Sequence, residues 1–280
     1  MVGSHQSSQQ EKAEYFKQLH EHKGIFIIPN AWDAGSAKIL ERLGFAAVAT
    51  TSAGLAFSLA KPDAMRAITR EENFANAKSI VDATTLPVSA DLENGYGDDP
   101  EICAETILLA AQQDLVGCTL EDATGISNDP IYDFDLSVKR VAAAAKAAKS
   151  LDFPFMLTAR AENYLYGKPD LKDTIKRLEA FAAAGADVLY APGLKTKNEI
   201  ETIVKAVAPK PLNFLFGLTD ETITLTELED IGVRRISIGS SLARAAYGAF
   251  IDAAKEIRDK GTFTFAKHAT SYGELNKLFS

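Results

Sequence analysis

The stretch Leu86-Pro-Val-Ser-Ala-Asp91-Leu-Glu93-Asn-Gly95-Tyr-Gly97-Asp-Asp-Pro100 decides how the rest of the chain is read. A short apolar run ends in two acids, two glycines follow, and a helical pattern starts at Pro100. The run Pro87–Leu92 reads as a strand and Pro100–Gln113 as a helix. Strand side chains alternate faces, so Asp91 and Glu93, two residues apart, point the same way. Gly95 and Gly97 end the strand and allow a tight loop. Two hard oxygen donors on one face, at the mouth of a strand, suit a divalent ion such as Mg²⁺.

The same strand–loop–helix unit recurs along the chain. Further strands are expected at Phe26–Pro29, Ala46–Thr51, Cys118–Glu121, Phe155–Ala159, Val188–Ala191, Leu212–Phe216 and Arg235–Gly239. Helical patterns lie between them at Ala34–Leu43, Arg70–Ala83, Asp135–Leu151, Leu171–Ala184, Lys197–Val207 and Leu225–Ile231, with a last helix at Leu242–Lys260. Gly44, Gly185 and Gly232 are placed to end helices in the left-handed region. Pro87, Pro154 and Pro211 open strands, where a missing N–H is tolerated. Eight units in strict alternation predict a (β/α)8 barrel, one domain over residues 1–280. An extra N-terminal helix, Gln9–His22, with apolar Ala13, Phe16 and Leu19, is expected to cover the barrel bottom.

The chain has 280 residues, 46% of them hydrophobic, and a formal net charge of −8. That balance, with no basic patch, argues against a nucleic-acid partner. No apolar run reaches the ~20 residues needed to span a bilayer, and the polar start reads as no secretory signal. Cys103 and Cys118 are too few for a disulfide framework, so a cytoplasmic location is expected.

Barrel chemistry sits at the C-terminal ends of strands. Those ends carry Asn30, Ser52-Ala53-Gly54, Asp91 with Glu93, Glu121-Asp122, Arg160 with Glu162, Tyr190, Asn213 and Gly239-Ser-Ser241. Core strands should end in apolar groups, so consecutive charged ends imply a metal and an anionic substrate. Glu121 is spaced to reach the same ion as Asp91 and Glu93. Arg160 is a fork-shaped donor for a carboxylate or oxyanion, or else the partner of Glu162 or Glu121. The Ser52–Gly54 turn can offer backbone N–H groups to a second carboxylate. Gly239-Ser-Ser241 reads as a phosphate site or as helix capping. The loop from Thr124 to Asp133, with Tyr132 as an exposed aromatic, reads as a lid or an ordinary surface excursion. Tyr132 and Tyr164, near strand ends, are the candidate proton donors. No lysine ends a strand, which argues against a Schiff-base aldolase. His5, His20, His22 and His268 lie outside the strands, which argues against histidine-ligated zinc.

Taken together, Ser52-Ala-Gly54, Asp63, Ala90-Asp-Leu-Glu-Asn-Gly-Tyr-Gly97, Leu120-Glu-Asp122 and Thr158-Ala-Arg-Ala-Glu162 resemble the isocitrate lyase/phosphoenolpyruvate mutase superfamily. The resemblance runs from about Ile28 to Ala249. It implies a Mg²⁺-dependent barrel, with Mn²⁺ as the alternative ion, acting on a small anionic 2-oxo or 2-hydroxy acid. A C–C or P–C bond would be made or broken through an enolpyruvate-like intermediate. By the same resemblance Asp91 is the principal metal carboxylate, with Glu93 and Glu121 supporting it. Asp63 is a loop acid near the metal. Ser52, Ala53 and Gly54 bind the substrate carboxylate, while Arg160 and Asn213 contact substrate. A homotetramer that exchanges its last helix is also implied. The segment from Ala123 to Phe134 lacks the Lys-Lys/Arg-Cys-Gly-His loop of isocitrate and methylisocitrate lyases. The expected activity is therefore that of a divergent lyase. A hydroxymethyl- or acyl-transferring relative and a catalytically silent metal- and carboxylate-binding barrel are the alternatives.

Overall fold

The computed structural model describes residues 7–63, 66–218 and 222–280, so Met1–His5 lie outside the described part. The strands are β1 (Phe26–Ile28), β2 (Asn30–Ala31), β3 (Val48–Thr50), β4 (Val88–Asp91), β5 (Gly117–Glu121), β6 (Met156–Arg160), β7 (Val188–Tyr190), β8 (Leu212–Leu215) and β9 (Arg235–Ser237). All pair in parallel within one sheet, in the order β1-β9-β8-β7-β6-β5-β4-β3-β2. The barrel closes because β1 and β2 are two halves of one strand interrupted at Pro29. The first half bonds to β9 and the second to β3. Pro29 has no N–H for the ladder, which accounts for the break. Eight strands therefore close as the alternation predicted, most of them shorter than their apolar runs.

The helices are α1 (Gln9–Glu21), α2 (Ala34–Arg42), α3 (Ser52–Ser58), α4 (Arg70–Ala83), α5 (Pro100–Ala111), α6 (Phe134–Lys149), α7 (Leu171–Ala184), α8 (Lys197–Val207), α9 (Leu225–Ile231), α10 (Ser241–Lys260) and α11 (Tyr272–Phe279). Reciprocal side-chain caps start several of them, with Thr69 and Glu72 on α4, Thr196 and Glu199 on α8, and Thr224 and Glu227 on α9. Each cap satisfies two N–H groups that the first helical turn leaves free. Gly185 and Gly232 end α7 and α9 in the left-handed region, as their positions predicted.

Strand alternation sorts the side chains. Val48, Val88, Leu120, Leu157, Leu189, Leu212, Phe214 and Ile236 face outward and pack under Ile80, Ile107, Val141, Leu178 and Ile200 of the helices. The opposite parity carries Asp91, Thr119, Glu121, Thr158, Arg160, Tyr190, Asn213 and Arg235, so this barrel's upper interior is polar. At the other end α1 seals the floor. Ala13 and Phe16, both 0% exposed, pack with Ile28, Ala47, Val116, Met156 and Val188. Burying Phe16 alone contributes roughly 1.5–3 kcal/mol.

Three elements were not expected. Ser52–Gly54, read as a turn, is the start of α3, a single 3-10 turn spans Thr264–Lys267, and α11 lies against α2. The eighth barrel helix also behaves unusually, since Ala243 is the buried residue of the twenty in α10. Phe250 is 69% exposed and Ile251 and Ile257 stand beside water as well.

Candidate active site

A cavity of about 480 Å³ opens at the C-terminal ends of the strands. Its wall includes Ser52, Ala53, Asp63, Asp91, Glu93, Glu121, Arg160 and Asn213, each singled out from sequence. One backbone register underlies much of it: Glu121 pairs with Arg160, Arg160 with Tyr190, Tyr190 with Asn213 and Asn213 with Arg235. Inward parity on five neighbouring strands thus builds one continuous polar row.

Asp91 ends β4 and is held on both carboxylate oxygens. Oδ2 accepts from the Ser52 hydroxyl (2.9 Å) and the Ser52 N–H (3.2 Å). Oδ1 accepts from Thr119 Oγ1 (3.1 Å), the Glu93 N–H (3.3 Å) and Arg160 Nη1 (3.4 Å). The Ser52 N–H, expected to face a substrate carboxylate, therefore donates to Asp91, as does the Ser52 hydroxyl. Gly54 is not on the cavity wall. Its N–H goes to Thr51 Oγ1 (3.3 Å), and a Cβ there would meet Thr51 Cγ2 at 2.6 Å and Trp32 Cβ at 2.8 Å. Of the three residues, Ala53 has an N–H with no acceptor among the described residues.

Glu93 lies two residues beyond the end of β4 at Asp91, with φ of +47°, so strand alternation is not what aims it. The turn does, and Glu121 N–H anchors it by donating to the Glu93 carbonyl (2.8 Å). Burial, with Asp91 and Asp63 nearby, pushes the Glu93 carboxyl up to about 8. Asp63 stands exposed at the rim, its carboxyl raised by lost hydration and by Asp91.

Arg160 combines the two roles weighed for it. Its Nη1 is 2.8 Å from Glu121 Oε1, its Nε donates to Glu162 Oε1 at 2.7 Å, and its guanidinium lies 4.8 Å over the Tyr190 ring. Nη2 has no partner among the described residues. Burial raises the Glu121 and Glu162 carboxyls, and Arg160 opposes that shift. The neighbouring acid faces the other way: Asp122 accepts from the Glu162 N–H (2.8 Å) and from Arg177 Nη1 (3.0 Å). It anchors the β6 loop to α7 and stays off the cavity wall.

No three acid, histidine or cysteine side chains among the described residues converge as a ready metal cluster. Glu121 and Asp91 share Arg160 Nη1, at 2.8 and 3.4 Å. The donor set still fits Mg²⁺, which tends to keep several waters and to use one or two carboxylates. Asp63, Asp91 and Glu93 line the cavity without an arginine of their own beyond the long contact of Asp91 to Arg160 (3.4 Å), and that group of carboxylates suits a divalent cation.

Several expectations need correction. Tyr132 is 7% exposed, not an exposed aromatic. Its hydroxyl donates to Asp98 Oδ1 (2.5 Å), Arg140 lies 4.2 Å over its ring, and Ala123 bridges to Ile131, so the Thr124–Asp133 loop is pinned down. Tyr164 donates to Glu199 at 3.0 Å. Neither phenol reaches the cavity; Tyr166 and Tyr190 do. Ser240 is the N-cap of α10 without a side-chain capping bond, and Ser241 Oγ accepts from Arg244 (3.4 Å), so neither hydroxyl caps the helix. Sequence reasoning also passed over Arg235. The available signal was its parity, since it shares a strand face with Ser237 while Ile236 faces the outer core.

The sequence profile described as phosphoenolpyruvate phosphomutase matches residues 16–258. An uncharacterized protein of Mycobacterium tuberculosis is 32% identical over 246 residues, spanning 87% of this chain and 89% of the relative. A crystal structure of a Burkholderia cenocepacia protein provisionally assigned as a lyase/mutase is 52% identical, with a TM-score of 0.94, covering 97% of this chain and 96% of that one. Oxaloacetate acetylhydrolase in complex with its product oxalate is 26% identical, with a TM-score of 0.86 and coverage of 97% and 94%.

Proposed function

Because the chain belongs to the phosphoenolpyruvate mutase/isocitrate lyase superfamily, we propose that it is a divalent-cation-dependent lyase that cleaves a C–C bond beside the oxo or hydroxy carbon of a small acid. Its relatives are lyases and mutases of C–C and P–C bonds in 2-oxo and 2-hydroxy acids. The observation that carries the reading is Asp91, held by Ser52, Thr119 and Arg160 in a cavity that Asp63 and Glu93 also line.

Asp91, with Glu93 and Asp63 beside it, would hold Mg²⁺ or Mn²⁺. When bound, the ion would supply Lewis-acid stabilisation of negative charge on substrate oxygen. The chain's own groups do the rest. The Ala53 N–H receives the substrate carboxylate. Arg160 Nη2 donates to the oxygen on which charge develops as the C–C electron pair moves toward it, the type of stabilisation that usually dominates such reactions. Glu121 and Glu162 fix the guanidinium so that little reorganisation is needed. The other fragment departs as a carbonyl compound or CO2, a 2-hydroxy acid giving its hydroxyl proton to the rim carboxylate Asp63. The new C–H bond takes its proton from Tyr166 at the mouth, whose phenol burial and nearby Glu121 keep protonated. Tyr190 lies under Arg160 and serves to position it.

The chain is read as cytoplasmic, with Cys103 and Cys118 as buried free thiols. No described helix is long and apolar enough to cross a membrane. It is also read as a homotetramer that exchanges α10. The exposed Phe250, Ile251 and Ile257 support this, since a second copy would cover them. Light scattering should then give four chains, and a monomer would sink that part.

Pyruvate release tests the activity, using oxaloacetate, phosphonopyruvate, 2-methylisocitrate and substituted malates with Mg²⁺ or EDTA. Turnover of one acid that EDTA and Asp91→Ala both abolish is expected. Bound Mg²⁺ without turnover of any would favour a silent binding barrel.

A further inference from the structure

Arg235 is a buried cation without a counter-ion. It sits on the inner face of β9, level with Asn213 on one side and Phe26 on the other. Barrel strands tilt by about 36°, so a row running straight across them slopes along the barrel axis. The row that sets Glu121 at the mouth therefore reaches the floor at Arg235, beside the sealing helix α1.

The side chain is 2% exposed and its partners are all neutral. Nε donates to Asn213 Oδ1 (2.8 Å) and Nη2 to Thr158 Oγ1 (2.9 Å). Nη1 lies 3.2 Å from His20 Nε2. His20 Nδ1 lies 2.8 Å from the Phe16 carbonyl, so Nδ1 carries the hydrogen and Nε2 is free to accept from Arg235. No described carboxylate pairs with this guanidinium. The contrast with its neighbours is sharp, because Arg160 meets Asp91, Glu121 and Glu162, and Arg177 meets Asp122 and Asp173.

A guanidinium carries five N–H donors, of which three have partners here. Arg235 also lines the cavity. A buried charge left without an opposite charge is costly, and an anion delivered by substrate would offset that cost. Asn213 and Ser237 extend the same floor: the Asn213 amide N–H donates to Ser237 Oγ at 2.9 Å, and both residues face the cavity.

We infer that Arg235 is a specificity-determining residue that takes a second anionic group of the substrate at the cavity floor. The substrate is then a dianionic 2-oxo or 2-hydroxy acid, with one carboxylate near Ala53 and Arg160 and the other directed down to Arg235. This rests on the function proposed above and narrows it.

Malate and 2-hydroxybutyrate test it, since they differ in carrying a terminal carboxylate or a methyl group. Calorimetry on the Mg²⁺-loaded protein is expected to show malate bound tighter by on the order of tenfold or more. Arg235→Met should remove that preference and leave 2-hydroxybutyrate affinity within about twofold, as expected when one charge-assisted contact is deleted. Arg235→Lys should restore part of it, and it carries the comparison alone if the methionine variant does not fold. Equal wild-type affinity for the two acids, or an unchanged preference in the variants, overturns the inference while leaving the lyase reading in place. Failure of the wild type to bind either acid overturns the inference, and the pyruvate-release panel decides the lyase reading separately.

Discussion

Replacing Arg160 by methionine should cost more at high pH than at low pH. The side chain neutralises Glu121 at 2.8 Å and Glu162 at 2.7 Å, and Glu162 is 2% exposed. Removing one partner of a buried ion pair typically costs about 3–5 kcal/mol, because the remaining charge is left uncompensated. The stacking of the guanidinium on Tyr190 adds about 1 kcal/mol. The carboxyls can escape part of this by binding protons, each unit of pKa being worth about 1.36 kcal/mol. Burial already raises Glu162 and Arg160 holds it down, so the variant raises it further. A carboxyl raised in the fold stabilises below its unfolded value and loses that contribution as pH rises. The deficit of Arg160→Met should therefore be about 3–5 kcal/mol near pH 8 and smaller near pH 5, read from urea unfolding at both. Arg160→Lys keeps the charge and should recover part of the loss. A deficit below about 1 kcal/mol near pH 8, or one independent of pH, would refute the view that this guanidinium compensates buried charge.

Other perturbations probe separate parts of the molecule. Burial, reinforced by Arg235, holds the His20 imidazole down at about 3. The unfolded chain takes up a proton below about 6.5 and the fold does not, so stability should fall between those values by up to ~1.4 kcal/mol per pH unit. His20→Gln should flatten that slope in acid titrations of unfolding, and an unchanged slope would count against a neutral buried His20. Gly54→Ala forces a Cβ to within 2.6 Å of Thr51 and 2.8 Å of Trp32. Overpacking of ~1–3 kcal/mol, less ~1 kcal/mol of helix propensity, predicts a lower Tm, and a higher Tm would show that the turn relaxes freely. Tyr166→Phe should lower kcat by about 10²–10⁴ with KM little changed if the phenol is the proton donor. A change in KM alone would make it a binding residue.

Much of the barrel was legible because its outward faces obey a simple rule. Leu120, Leu157 and Leu189 alternate with inward positions, and amphipathic helices follow each strand. The acids and Arg160 were legible for the complementary reason, since charge at the end of a core strand demands a partner. What sequence could not show was who pairs with whom. Ser52 reads as a substrate donor until Asp91 is seen to take both its hydrogen bonds. Tyr132 reads as an exposed aromatic until Asp98, Asn94 and Arg66 are found around its hydroxyl.

The sequence by itself determined the alternation, the closing helix caps at Gly185 and Gly232, and the set of strand ends that carry charge. These depend on local periodicity and on the cost of burying unpaired polar groups, both of which act through neighbours in the chain. Only the tertiary structure decided that Glu121 turns to Arg160, that Asp122 turns to Arg177, and that Arg235 rests on His20, 215 residues away in the chain, with no acid beside it. Those choices follow from barrel closure and shear, which set how far down the axis each inward residue falls, and no local pattern encodes that depth.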